Sequence, residues 1–485
     1  MSLTKVTYSM IQGAVFNVLD YGADPTGVAD STAAIQGAID AAYALSLGNI
    51  TVPYDTIRKG GSTVFLPAGK YKTTATIEIK EDVTLQGAGR FSTVIISSYD
   101  GTLIRNQTPI YYDAFGMGIK DLCIQGDRTK TNQIGIALLR DWQGTYSNVS
   151  VVECGSHGWR LYQCIGSQMT NIETLGCVGN GFMVTDGIGS WASPTATNSP
   201  SNNIDVYGIH TYGCDGAGIY LGRVGTGIGV MGCQFFGGSS EYNYYSSASG
   251  VGYNVEIQDT ASAVPNAFYS LWCEDTKVLA HVYINANDAQ ENVRFVNFKH
   301  FGNGTGNYPQ KAIIVNKGKL LLDSPVGSET AYKTYLGSNA PFQLTKATGT
   351  IYAVNILGST LNTTQAQIVD ETGASSGLEN NIRVNNYGNT WGGPWNFNTD
   401  FGQRGPSFYQ TGQTYPYAEF STFNKGLLFG DGTTAPTVQL RTGTGTPEGS
   451  VTAPVGSLYL RTDGSTSTTL YVKTSGTGNT GWTAK

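Results

Sequence analysis

Two sets of side chains in this sequence have the types and spacing that proton-transfer chemistry requires. The first is a group of carboxylates, Asp186, Glu256 and Asp259, with Glu241 in a stretch dense in Tyr, Asn and Ser. Two carboxyl groups are the minimum for hydrolysis of a glycosidic bond: one protonates the leaving oxygen, the other acts as base or nucleophile. The second set is Glu173 with His210, because an imidazole beside a carboxylate can be held as a general base. Side chains suited to a sugar surround both. Trp191, Tyr220, Tyr242, Tyr244 and Tyr245 offer flat apolar faces, and Arg223 is a cation expected between Asp186 and Asp259.

The elements that must position these groups follow from a repeat. Asn148-Val-Ser-Val-Val-Glu-Cys154, Asn171-Ile-Glu-Thr-Leu-Gly-Cys177 and Gly208-Ile-His-Thr-Tyr-Gly-Cys214 each continue as Cys-x-x-x-Gly and then a second short strand. Cys154 and Cys177 are 23 residues apart, and the same period reaches Cys214, Cys233 and Cys273 once two insertions are removed, Gly187 to Pro200 and Gly237 to Tyr253. A fixed period with β-branched, alternating strands and Gly at the turns specifies a solenoid of strands, a right-handed parallel β-helix. Alternation places Val149, Ile172, Ile209 and Ile228 in one inward column and Trp159, Phe182, Ile219 and Val255 in another. The outward columns are then Ser150, Glu173, His210, Gly229; Arg160, Met183, Tyr220, Glu256; and Gln163, Asp186, Arg223, Asp259. Neighbours in a column stand about 4.8 Å apart. This makes Asp186, Arg223, Glu256 and Asp259 one polar surface with both insertions overhanging it.

Composition fits. A solenoid has no upper limit on length, so 485 residues need not divide into several cores. Charged residues are 13%, against about 25% in ordinary domains, while Gly (64) and Tyr (29) are abundant. The net charge of −6 favours neither nucleic acid nor an anionic membrane. No apolar run is long enough to span a bilayer, and the opening Met1-Ser-Leu-Thr-Lys-Val lacks the apolar core of a signal peptide. The cysteines lack C-x-x-C pairs and number seven, so neither a metal site nor a disulfide framework is expected, and no cofactor.

In chain order, residues 1–16 are a short connector. Residues 17–60 form a cap whose helix follows an N-cap at Asp30 and buries Ile35, Ala38, Ile39 and Ala42. Residues 61–325 form the β-helix with its insertions, 326–450 a β-rich region, and 451–485 a hairpin in which Leu458/Leu460 alternate against Leu470/Val472. The cap sequence Asn17-Val-Leu-Asp-Tyr-Gly22, Asp30-Ser-Thr-Ala-Ala-Ile-Gln36, Val64-Phe-Leu-Pro-Ala-Gly-Lys-Tyr71 and Leu85-Gln-Gly-Ala-Gly89 resembles the opening of pectate-lyase-superfamily β-helix proteins. With Lys5-Val-Thr-Tyr-Ser-Met-Ile11 before it, it resembles bacteriophage tailspikes and capsule depolymerases in particular. The resemblance is strong over the cap and one of style over the repeats.

That resemblance implies a homotrimer, held partly by the C-terminal hairpin. It also implies a place on the virion, action at the bacterial cell surface, and a phage tail or adaptor protein engaging the N-terminus. The implied substrate is a bacterial capsule, exopolysaccharide or O-antigen, cleaved internally. The Gly-His-Gly and Arg-x-Lys motifs of related polygalacturonases and the calcium and arginine signatures of pectate lyases are absent, so no family catalytic residue carries over. Hydrolysis by paired carboxylates is the leading expectation. The alternatives are β-elimination from a uronic acid, with His210 as base and a Tyr as proton donor, and a spike that only binds.

Overall fold

The computed structural model describes residues 15–323 apart from 53–54, 108–113, 188–198, 225–228, 248–250, 259–263, 276, 287–291 and 303–310; beyond these it describes short strands between 326 and 430, and residues 437–485. Trp191, Ile228 and Asp259 therefore lie outside the described residues. The chain divides into two compact units, Met1–Gln367 with Arg383–Trp395, and Ile368–Ile382 with Asn396–Lys485.

The first unit is a parallel β-helix. Each strand pairs in parallel with the strand one repeat later: Thr145–Val152 with Gln168–Leu175, that with Asp205–Tyr212, and that with Gln234–Glu241. A separate ladder runs through Trp159–Tyr162, Phe182–Thr185, Ile219–Gly222 and Tyr253–Gln258. Each long strand is really two, bent at one residue. Asp121, Asn148, Asn171, Gly208, Gly237, Ser270 and Asn297 occupy this corner in successive rungs, all with φ between 52° and 70°. Asn, Asp and Gly tolerate this left-handed conformation best. The corner amides also bond along the helix: Asn148 Nδ2 donates to Asp121 Oδ1 (2.8 Å) and Asn171 Nδ2 to Asn148 Oδ1 (3.1 Å). The cross-section thus has three faces: residues before the corner, residues after it, and the second ladder.

The ladder begins earlier than residue 61. Phe16–Asn17 pairs with Thr63–Leu66, and Thr26–Asp30 with Gly69–Thr73, so the cap supplies the first rung itself. Its helix, Thr32–Ala44, buries the expected stripe of Ile35, Ala38, Ile39 and Ala42. Ser31 is the N-cap residue, yet Asp30 Oδ1 accepts the Thr32 N–H at 3.0 Å. At the other end parallel pairing continues past 325, from Lys311–Asp323 to Ile351–Leu357.

Inside, the column Trp159, Phe182, Ile219, Val255 is fully buried as expected. Cys154, Cys177 and Cys214 stack in one turn and are buried free thiols. Cys233 and Cys273 leave that column. The position after Cys214 is taken by Asn243, whose Oδ1 accepts the Cys214 N–H at 3.3 Å. Cys233 precedes its strand, and Cys273 pairs with Ser240 inside a strand. The even spacing of cysteines therefore misassigned the fourth rung: His210 pairs with Ser239, not Gly229. The second insertion starts only at Tyr242, since Gly237 and Gly238 belong to the strand Gln234–Glu241.

In the second unit, Leu458–Arg461 pairs antiparallel with Leu470–Lys473, matching Leu458 to Val472 and Leu460 to Leu470. Tyr459, Tyr471, Trp482 and Ala453 form the core, and Leu458 and Leu460 are exposed.

Phe182 is enclosed between Trp159 and Phe235, with ring centroids at 6.5 and 6.0 Å. Phe182→Ala is expected to cost about 3–5 kcal/mol, whereas exposed Tyr207→Ala costs under about 1. Denaturant midpoints of the two variants check this, and equal midpoints contradict the inward assignment.

Candidate functional site

The outward side of the second face carries most of the chemistry. One row runs Ser150, Glu173, His210, Ser239, Trp272 across successive rungs. The next outward row, two residues on, runs Leu175, Tyr212, Glu241, Glu274. Strand spacing alone makes Glu173 and His210 neighbours, and the side chains meet: His210 Nδ1 lies 3.1 Å from Glu173 Oε1. Ser150 Oγ donates to Glu173 Oε2 at 2.6 Å, and Arg90 Nη1 stands 3.8 Å from the same oxygen. Arg90 reaches in from a remote turn and also donates to the Asn171 carbonyl.

These contacts set the charges. The bond from His210, then that from Ser150 and the nearby charge of Arg90, hold the Glu173 carboxyl below its ordinary range against the opposing effect of burial. Glu173 in turn raises the His210 pKa above 6.5, with Glu241 adding to the field and burial opposing. With Nδ1 committed to Glu173, Nε2 is the nitrogen left for a ligand. Glu241 was expected in a loop; it instead ends a strand, one rung from both Tyr212 and Glu274. Glu274 is oriented by Tyr242 Oη at 3.1 Å and Trp272 Nε1 at 3.4 Å.

Aromatic side chains border this face on both sides. Tyr207, Phe236 and Tyr269 stack in an outward row on the first face, with centroids 4.8 and 4.9 Å apart and planes within 9°. Tyr212 and Tyr242 flank the far side, 5.3 Å apart. The first row was not anticipated, although its signal is in the sequence: each ring immediately precedes a corner residue, Gly208, Gly237 or Ser270. Arg90 had no such signal, because its reach skips several rungs.

The other expected carboxylates are placed differently. Asp186 is not on a polar surface. It is fully buried, and its oxygens accept the N–H groups of Val224 (2.6 Å) and Gly229 (3.0 Å). Position 186 follows the strand's last residue, where the chain turns inward and backbone donors need an acceptor. Arg223 is half-buried and donates its backbone N–H to Gln258. Glu256 does lie outward on the third face, between Tyr220 and Tyr283. Tyr244 Oη from the insertion stands 3.4 Å from it, and Gln258 Nε2 2.8 Å. Burial raises the Glu256 pKa, so this carboxyl retains its proton to higher pH than an exposed glutamate. Tyr245 is exposed, with Lys277 Nζ 5.1 Å above its ring. The insertion thus touches both faces, through Tyr242 to Glu274 and through Tyr244 to Glu256. Among the described residues no cluster of three His, Cys, Asp or Glu could hold a metal ion, and no helix is long and apolar enough to cross a membrane.

Comparison with known proteins fits this architecture. Residues 15–237 match the sequence family described as rhamnogalacturonase A/epimerase, pectate lyase-like. A mannuronan C5-epimerase of Azotobacter vinelandii, AlgE5, is 38% identical over 131 residues, 24% of this chain and 11% of that protein. Alginate lyase 7 of the same organism is 36% identical over 130 residues, 24% of this chain and 13% of the relative. This chain thus spans only a small part of the curated relatives it matches. Among solved structures, the gp42 tailspike of Acinetobacter phage vb_AbaP_AS12 aligns over 82% of this chain and 67% of its own, at 12% identity and a TM-score of 0.49. The fold is a pectate-lyase-like β-helix.

The ion pair has a pH signature. Because the folded His210 pKa is raised, its stabilisation is complete below about pH 6.5 and is lost as pH rises through the folded value. Because the folded Glu173 pKa is lowered, its share is lost as pH falls through that lower value. Glu173→Gln is expected to move the His210 titration midpoint downward, followed by NMR of the imidazole. An unchanged midpoint contradicts the pairing.

Proposed function

We propose that this chain binds a bacterial surface polysaccharide along the outward second face and hydrolyses an internal glycosidic bond at the Glu173–His210 centre. The observation that carries the reading is the 3.1 Å Glu173–His210 contact, beside the row that carries Glu241 and Glu274 and bordered by stacked aromatic rings. Aromatic faces take up sugar rings, and the carboxylates supply acid–base groups. His210, kept protonated through Nδ1 by Glu173, donates the Nε2 proton to the leaving glycosidic oxygen as the anomeric C–O bond breaks. A carboxylate of the neighbouring row, Glu241 or Glu274, takes a proton from the water that adds to the anomeric carbon. Those two stand one rung apart, about 4.8 Å between backbones. Glu256, with its raised pKa, remains an acid candidate on the third face, with Tyr220 and Tyr244 beside it.

A second reading, β-elimination from a uronate, is favoured by the matches to a C5-epimerase and an alginate lyase. In that chemistry neutral His210 removes the C5 proton, the C4–oxygen bond breaks as a tyrosine protonates the leaving oxygen, and a C4–C5 double bond is left. The wider role follows the resemblance of the cap and the terminal hairpin: a homotrimeric phage tailspike, joined to the tail by its N-terminus and acting at the bacterial surface. The exposed Leu458 and Leu460 row supports association through the hairpin.

Glu173→Gln and His210→Ala are each expected to lower kcat about 10²–10⁴-fold on a polysaccharide the native chain depolymerises. Product mass and absorbance separate the two chemistries. Hydrolysis gives fragments that have gained water, no new absorbance, and a rate falling as pH rises through the His210 pKa. Elimination gives unsaturated fragments and a rate rising over the same interval. Full activity in both variants refutes this centre. A monomer in light scattering at micromolar concentration refutes the trimer.

A further inference from the structure

The two outward rows of the second face do not end at the Glu173–His210 centre. Traced toward the N-terminus by strand register, the first row runs Glu173, Ser150, Cys123, Val94, Lys70, and the second runs Leu175, Val152, Gln125, Ile96, Lys72. Lys70 and Lys72 therefore stand four rung steps from Glu173 and Leu175, about 19 Å along the axis. At that place the surface opens into a groove of about 640 Å³, lined by both lysines with Ile96, Ser98, Gln125 and Arg128, among others.

The charged groups of this groove are Lys70, Lys72, Arg128, Asp127 and Glu153. Three of the five are already engaged by their surroundings. Asp127 Oδ1 accepts the Thr129 N–H (3.0 Å) and hydroxyl (2.7 Å). Glu153 Oε2 accepts from Gln125 Nε2 at 3.0 Å. Arg128 is paired with Asp215 at 2.6 Å and donates to the Gly176 carbonyl. Neither Lys70 nor Lys72 forms an ion pair with a described residue. Between groove and centre, Arg90 lies beside Cys123 and is paired with Glu173, and the outward rows there carry no carboxylate.

We infer that this groove is a remote subsite for an acidic sugar, whose carboxylate is held by Lys70 and Lys72 while the same polysaccharide strand occupies the Glu173–His210 centre. The inference rests on the proposed polysaccharide reading and deepens it, since it makes the substrate a polyanion several residues long, lying along the helix axis. Each parallel rung repeats the outward face at one fixed height, so a polymer running along the axis meets one row of side chains after another. A chain long enough to span both places gains the lysine contacts without altering the chemistry at His210.

The test is gel affinity electrophoresis in gels containing polymannuronate, polygalacturonate or neutral dextran. The samples are the native chain, Lys70→Gln/Lys72→Gln, and His210→Ala. The native chain and His210→Ala are expected to be retarded by an acidic polymer and not by dextran, with retardation weakening as salt is added. The double lysine variant is expected to bind about tenfold more weakly with unchanged thermal stability. Equal retardation of the double variant, or retardation by neither acidic polymer, overturns the subsite. Cleavage with a KM indifferent to both lysines overturns it too and leaves the catalytic reading intact. Lysine-dependent binding with no cleavage of any polymer keeps the subsite and removes the catalytic reading.

Discussion

The structure depends on one backbone constraint: every rung must turn its corner at the same height as the rung below. Parallel strands share all their hydrogen bonds with neighbours one repeat away, so a corner displaced by one residue would exchange the inward and outward side chains beyond it. A single left-handed residue meets the requirement. Asp121, Asn148, Asn171, Gly208 and Gly237 hold φ near 60° at this position, and the amides of the asparagines bond to the corner residue below. With corners stacked, the rows on either side stack too. Tyr207 falls on Phe236 because Gly208 and Gly237 turn at the same height, and Glu173 on His210 because Asn171 and Gly208 do.

The surroundings then give carboxylates of similar intrinsic acidity different roles. Glu173 receives bonds from Ser150 and His210 and has Arg90 nearby, so its charge is retained. Glu256 accepts from Gln258 and Tyr244 and is enclosed by tyrosines, so burial dominates and its pKa is raised instead. Asp186 is withdrawn altogether and serves as an acceptor for two backbone N–H groups. Register explains none of these differences. They arise from what the turns and insertions bring alongside each outward position.

The parts legible in the sequence are those set by period. The strand–Cys-x-x-x-Gly–strand unit gave the parallel ladder, the buried column from Trp159 to Val255 and the Glu173–His210 neighbour pair, and the helical spacing of Ile35, Ala38, Ile39 and Ala42 gave the cap stripe. The errors came from treating a marker residue as the period itself. Cys233 and Cys273 continue a numerical spacing, but Asn243 fills the place after Cys214, because an amide there can accept the Cys214 N–H and bond onward to Ser240 and Asn254. Counting corners instead of cysteines recovers the register, since Gly208 and Gly237 are 29 residues apart where Cys214 and Cys233 are 19. The position of Asp186 was legible as the end of a strand, but its inward turn depends on donors from residues 224 and 229, which lie about 40 residues on.

A rigid ladder also constrains how any ligand is recognised. Because rungs recur at about 4.8 Å, side chains on one face form a fixed scale along the axis, and contacts separated by whole rungs cannot adjust independently. Adaptation must come from the turns. The segment after Glu241 is the clearest case: Tyr242 reaches Glu274 on one face and Tyr244 reaches Glu256 on another, so one short stretch bears on two carboxylates on different faces. Displacing it would deprive Glu274 of an orienting donor and expose Glu256 to water, lowering the pKa that burial now raises. The scaffold fixes where the groups stand, and this turn governs how Glu274 is oriented and how deeply Glu256 is buried.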